Sequence, residues 1–263
     1  MSTATERRET IHIVTEGRTA VVTLNRPPLN VLDISMMREL GRALTTAVAE
    51  CDFIVFQGAG SQAFSAGAEV RDHTPDCVAE MLKAFHGVFR QLSRADCLTI
   101  AAVHGHCLGG GMELATFCDF VLASESARFA QPEIKLGCFP PVALITLPRL
   151  AGLRAALDLI LTGRTISARE AKALGLVTRV VPENTLAYSV EALLDELGGL
   201  SPAVLRLSRK ALARAWGANG QEEFERQLSE VEQFYLGALM KTEDAREGVR
   251  AFLEKRAPVW KGR

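Results

Sequence analysis

Two glutamates and two runs of small residues are the parts of this 263-residue chain whose types and spacing could do chemistry. Glu113 stands in Gly110-Gly111-Met112-Glu113-Leu114-Ala115, about one turn into a helix with apolar neighbours. A carboxylate in such company is costly unless it is paired or used. Glu133 stands in Gln131-Pro132-Glu133-Ile134, just after the strand-like Ala127–Ala130. Two carboxylates beside one apolar pocket are equipment for moving protons at a carbon centre. Spacing alone equally allows each to be a solvated surface glutamate or one member of a structural ion pair.

The small-residue runs are Ala63-Phe64-Ser65-Ala66-Gly67-Ala68-Glu69 and Gly105-His106-Cys107-Leu108-Gly109-Gly110-Gly111-Met112-Glu113. Each follows an apolar strand pattern and precedes a helix. Small residues there let backbone approach a ligand, and helix-start N–H groups have no partner inside the helix. Two such N–H groups converging from separate loops would form an oxyanion hole, which favours negative charge growing on a carbonyl oxygen. As plain tight turns the same loops would carry no chemistry. Other glycine-loop readings fail on detail: Leu114 stands where a third dinucleotide-fold glycine would be, and no lysine follows the glycines as a phosphate loop requires. Ser65 lacks the leading glycine of a nucleophile elbow and has no histidine–acid partnership. His104-x-His106 has no acidic or cysteine partner at metal-site spacing, so no metal site is expected.

The elements that must position these residues alternate through the first two-thirds of the chain. Ile11–Val14 and Ala20–Leu24 flank Glu16-Gly17-Arg18 as a hairpin, and Pro27-Pro28 ends the second strand. Met37, Leu40, Leu44, Ala47 and Val48 recur at helical spacing behind a cap at Asp33 or Ser35. Strands are expected at Phe53–Phe56, Leu98–Val103, Phe120–Ala123 and Ala127–Ala130, with a helix after Pro75. After about Pro140 helical periodicity dominates, at Arg154–Leu161, Ala168–Leu174, Leu186–Leu197, Pro202–Ala215, Glu222–Met240 and Glu243–Lys255. Only Val177–Val181 still reads as a strand there. The expected class is α/β, with a core over residues 1–195 and a helical C-terminal region over 196–263.

Bulk composition narrows the function. A formal net charge of −1 gives no field that would gather nucleic acid or an anionic membrane surface. The polar opening MSTATERRET has no apolar stretch behind it, and no apolar run nears the roughly 18 residues a membrane helix needs. Six scattered cysteines without a C-x-x-C pair point to reduced thiols and a cytoplasmic setting.

Taken in order, these motifs resemble the crotonase (enoyl-CoA hydratase/isomerase) superfamily. The likeness is carried by Asn25-Arg26-Pro27 through Leu32, by both small-residue loops, and by Ala130-Gln131-Pro132-Glu133-Ile134. Leu161-Thr162-Gly163-Arg164 and Ala171-Lys172-Ala173-Leu174-Gly175-Leu176-Val177 extend it over nearly the whole chain. The resemblance implies a spiral of ββα units with C-terminal helices that pack into a homotrimer or a homohexamer, a dimer of trimers. It implies an acyl-CoA substrate, coenzyme A being part of that substrate and no separate cofactor being used. The N–H groups of Ala68 and Gly110 would hold the thioester oxygen, and Glu113 and Glu133 would serve as acid and base. Ala66, Phe252 and Lys255 match positions that bind substrate or CoA. Having both glutamates argues for a hydro-lyase; an isomerase or another acyl-CoA reaction on this fold, or a non-catalytic CoA-binding protein, are the alternatives.

Within the family the likeness is greatest to cyclohexa-1,5-diene-1-carbonyl-CoA hydratases. That rests on His73-Thr74-Pro75-Asp76, Met81-Leu82-Lys83, Leu136-Gly137-Cys138-Phe139-Pro140-Pro141 and the ending Ala251-Phe252-Leu253-Glu254-Lys255-Arg256. One departure stands out. Where typical hydratases carry a glycine whose N–H helps hold water, this chain has Pro140-Pro141, which cannot donate. The expectation is a stiff wall backed by the aliphatic run Val142–Ile145, better suited to a ring than to a polar chain.

Overall fold

The computed structural model describes residues 9–215 and 221–263; the polar opening of the chain, residues 1–8, lies outside them. Strands β1 (Ile11–Glu16) and β2 (Thr19–Leu24) form the expected hairpin, and α1 (Ile34–Glu50) follows. Asp33 caps α1, its carboxylate accepting from Met36 N at 2.8 Å. Then come β3 (Phe53–Gly58), β4 (Ala63–Ser65), α2 (Val78–Arg94), β5 (Leu98–Val103), β6 (His106–Leu108) and α3 (Gly110–Phe117). The next turn supplies β7 (Phe120–Ser124), β8 (Arg128–Ala130) and α4 (Pro141–Ala151).

This repetition builds a spiral. Each turn gives one strand to a six-stranded sheet ordered β1-β2-β3-β5-β7-β10 and one to a four-stranded sheet ordered β4-β6-β8-β9. The pairs β3/β4, β5/β6 and β7/β8 are successive turns, and within each sheet their strands run parallel. Parallel strands covered on both faces need no polar side, and every residue of β5 is buried accordingly.

The later elements are α5 (Leu153–Thr162), β9 (Ile166–Ser167), α6 (Ala168–Ala173), β10 (Arg179–Val181), α7 (Leu186–Gly198), α8 (Pro202–Ala215), α9 (Gln221–Gly237) and α10 (Glu243–Leu253). The helical tail is tied to the body. Arg206 of α8 reaches Asp52 at 2.7 Å, and Arg90 and Arg94 of α2 pair with Glu232 and Glu225 of α9 at 2.8 and 2.7 Å. The boundary expected between 195 and 196 falls inside α7, whose Val190, Leu193 and Leu197 share an apolar cluster with strand residues Val55, Ile100 and Leu122.

A helix at Pro141–Ala151 is the main element the sequence reading missed. Proline at the first helical position lacks an N–H that the helix would leave unpaired anyway, so Pro141 starts this helix rather than blocking it. Val142, Ala143 and Ile145 are core residues, not the wall of a pocket, which corrects the expectation of an aliphatic run facing substrate.

Candidate active site

The first loop is held by a bracket from residues 29–32. Asn30 is fully buried with φ of 50°, a left-handed conformation that asparagine tolerates. Its amide donates to Ala59 O and Ala63 O at 2.9 and 2.8 Å, while its own carbonyl accepts from Ser65 Oγ at 2.8 Å. Around that anchor, Ala66 N donates to Leu29 O at 2.8 Å, Gly67 N to Ser65 Oγ at 3.1 Å, and Glu69 N to Leu32 O at 2.9 Å. These bonds therefore consume every N–H of residues 66–69 except that of Ala68.

The second donor comes from α3. Gly110 is the first residue of that helix, so its N–H has no intrahelical acceptor. The two loops touch: a methyl group placed on Gly110 would lie 3.4 Å from Ala68 N, and one on Gly67 would lie 3.0 Å from Gly110 N. Among the described residues neither Ala68 N nor Gly110 N is engaged by a protein acceptor. Two free N–H groups thus meet at one spot, as an oxyanion hole requires.

Both glutamates arrive at the same place. Gly109, which precedes the donor, packs so closely on Glu133 that a methyl group there would come within 2.5 Å of its Oε1. Glu113, from the first turn of α3, is 2% exposed. Its Oε1 accepts from Val142 N at 2.7 Å and from Ala143 N at 2.8 Å, the first free N–H groups of α4. Pro140 and Pro141 themselves donate nothing, and the N–H groups of the two residues after them are directed to Glu113.

The two carboxyl groups differ in support. Burial raises the Glu113 carboxyl above its ordinary value, while the two α4 N–H groups and the positive end of that helix pull it back toward the ionised form. Glu133 is raised well above its ordinary value, first by burial and then by the negative field of Glu113. The buried Gln131 amide, turned with its nitrogen toward Glu133, lies 3.2 and 3.3 Å from the two oxygens. The α4 N–H groups thus favour negative charge on Glu113, and the weaker support of Glu133 favours its protonated form. Although enclosed by protein, Glu133 keeps one face on a cavity, and Glu113 lies deeper.

That cavity, of about 480 Å³, is lined by Ala66, Ala68, Glu133 and Phe252 among others. Lys255 is exposed, does not line it, and ends α10 in a left-handed conformation. Lys135 and Arg256 are basic residues on that wall, and His73 and Leu136, noted in the sequence only as parts of motifs, line it as well. Tyr235 of α9 is buried beside Cys138, whose backbone N–H donates to Glu133 O at 3.0 Å. A second cleft, of about 500 Å³, lies among charged residues of α10 and the tail that pair with one another, such as Lys261 with Glu243.

Raised carboxyl values carry a stability cost with a defined sign. An unfolded glutamate releases its proton near 4.5, whereas folded Glu133 holds it to higher pH. The stability linked to that proton is complete below about 4.5 and is lost as pH rises toward the folded value. Glu133→Gln should therefore melt above the parent at pH near 8, and the gap should close near pH 4.5, as read from melting curves at both pH values. A variant that melts below the parent at the higher pH would contradict the assignment.

The enoyl-CoA hydratase/isomerase family profile matches residues 15–263. A probable enoyl-CoA hydratase of Mycobacterium bovis is 39% identical over 258 residues, covering 95% of this chain and 97% of that protein. A cyclohexa-1,5-dienecarbonyl-CoA hydratase of Thauera aromatica is 35% identical over 249 residues, covering 94% and 95%. Among solved structures, a carnitinyl-CoA hydratase from Mycobacterium avium superposes with a TM-score of 0.83 at 32% identity, covering 98% of this chain and all (100%) of that one. With its ββα spiral, the chain belongs to the enoyl-CoA hydratase/isomerase, or crotonase, family.

Proposed function

We propose that this protein is an acyl-CoA hydro-lyase that adds water across a double bond conjugated to a thioester. The observation that carries the reading is the unequal glutamate pair beside two free N–H groups. In this mechanism the thioester oxygen sits between Ala68 N and Gly110 N, which withdraw electron density and make the β-carbon electrophilic. The carboxylate of Glu113, whose Oε2 is not taken by α4, removes a proton from water as its oxygen bonds to the β-carbon. The protonated carboxyl of Glu133 then delivers its proton to the α-carbon as the enolate collapses. One proton leaves Glu113 and one returns to Glu133 before the next turnover. Coenzyme A enters as part of the substrate, and the steps need no further cofactor.

Glu113→Gln and Glu133→Gln should each lower turnover by roughly 10²-fold or more while the thioester still binds. Activity should fall on both sides of a pH optimum, through protonation of Glu113 on the acid side and loss of the Glu133 proton on the basic side. Near-normal turnover in either variant removes that glutamate from the mechanism. Isomerisation in place of hydration would show in the products as a shifted double bond with no added water.

For the acyl group we propose a cyclic dienoyl-CoA, supported by the 35% identical Thauera relative of that specificity. The proline segment no longer supports this choice, because its residues start α4 and pack in the core. Cyclohexa-1,5-diene-1-carbonyl-CoA should be hydrated with kcat/KM about 10-fold above crotonyl-CoA, a gap needing only ~1.4 kcal/mol. Faster hydration of crotonyl-CoA would overturn the ring preference and leave the hydro-lyase reading intact.

The six free thiols favour a reducing compartment, which we take to be the cytoplasm, and no helix among the described residues is long and apolar enough to cross a membrane. A trimer or hexamer is the proposed assembly, supported by Leu153, Leu157 and Leu161, which lie exposed in one row along α5. Light scattering at micromolar concentration should give a mass of three or six chains; a monomer would contradict it.

A further inference from the structure

His73 is a buried polar side chain on the cavity wall that the proposed chemistry does not use. It ends the 3-10 turn Val70–His73, which follows directly on the Ala68 loop. Its Nδ1 lies 3.0 Å from the backbone oxygen of Glu69. A carbonyl oxygen can only accept, so Nδ1 carries the hydrogen. Burial lowers the imidazole below its ordinary value, against the weaker opposing pull of Asp72 and Glu69, and the ring is neutral. A neutral ring protonated at Nδ1 has a bare lone pair at Nε2.

No protein donor reaches that lone pair among the described residues. The cavity wall carries Val70, Leu136 and Phe252 together with the basic residues Lys135 and Arg256. Arg256, the guanidinium on the same wall, is committed to Glu247, Glu254 and the Ala257 carbonyl. The nitrogen is an acceptor without a protein partner on a residue that lines the cavity, so a ligand that brings a donor can take the place of water there.

We infer that His73 selects for substrate, accepting a hydrogen bond from a hydroxyl group carried on the acyl part of the thioester. This inference rests on the acyl-CoA reading of the cavity. Ala68 and His73 line the same cavity, five positions apart in the chain, so the hydroxyl would sit on an acyl carbon away from the thioester carbonyl, on a chain or on a ring. A hydroxylated acyl group would then bind better than the plain diene ring, and it would come from a reaction class that leaves an oxygen on the acyl carbons, such as a hydroxylase or a carbonyl reductase.

Binding of the unreactive pair 6-hydroxyhexanoyl-CoA and hexanoyl-CoA, measured by calorimetry, tests this without depending on turnover. The parent protein should bind the hydroxylated thioester about 10-fold more tightly. His73→Leu should abolish that preference, and His73→Gln, whose side-chain carbonyl still accepts, should restore part of it. Equal affinity of the parent for both thioesters, or a preference that survives in His73→Leu, would overturn the inference. So would an equal loss of both thioesters in a folded His73→Leu protein, which would move the contact to the pantetheine arm. If His73→Leu does not fold, the parent preference and the His73→Gln ratio decide. Failure of the hydro-lyase reading would appear separately, as tight binding of both thioesters with no hydration of any enoyl-CoA.

Discussion

Two carboxyl groups enclosed side by side cannot both be ionised cheaply, and much of this structure is arranged around how that conflict is resolved. Burial raises both carboxyl groups, and the negative field of Glu113 raises Glu133 further. The resolution is asymmetric. Glu113 is given the start of α4, where two N–H groups at 2.7 and 2.8 Å replace the lost water on one oxygen. Glu133 is given one amide neighbour and an apolar cavity edge. These surroundings favour charge on one group and a proton on the other, as the proposed base and acid roles require.

The spiral is what brings those unequal surroundings to one point. Successive turns place β4, β6 and β8 in adjacent parallel register, so the loops that follow them emerge together. The loop after β4 gives Ala68, the loop after β6 gives Gly110 and Glu113, and the segment after β8 gives Glu133. The next helix, α4, then returns its N-terminus to Glu113. Glycine is required at the closest approaches: Gly67, with φ of 92°, and Gly109, with φ of 51°, both sit where a side chain would strike backbone or the Glu133 carboxylate. The loop works by consumption: Ser65 Oγ takes the N–H of Gly67 and Leu32 O that of Glu69, so the N–H of Ala68 between them is left over.

Much of this was legible in the sequence, because glycine-dense junctions and apolar runs of strand length are local signals. The alternation of strands and helices, both loops and both glutamates follow from such patterns. What stayed hidden depends on packing between distant segments. The double proline was read as a stiff non-donating wall, and its other meaning, a helix start at Pro141, depends on the next residues meeting Glu113 from 29 positions away. Gln131, buried beside Glu133, looks like any polar residue in a loop. His73 belongs to a stretch that is noticeable in sequence, but its place on the cavity wall arises only when α10 folds over the 3-10 turn.

The central claim is that one proton is held between the two glutamates at neutral pH and that it resides on Glu133. Infrared difference spectroscopy of the parent against each glutamine variant reads this directly, because a protonated carboxyl group absorbs apart from a carboxylate. At neutral pH the account predicts a protonated-carboxyl band in the parent that disappears in Glu133→Gln, and a carboxylate band that disappears in Glu113→Gln. No protonated carboxyl in the parent, or a proton lost with Glu113 in place of Glu133, would contradict it.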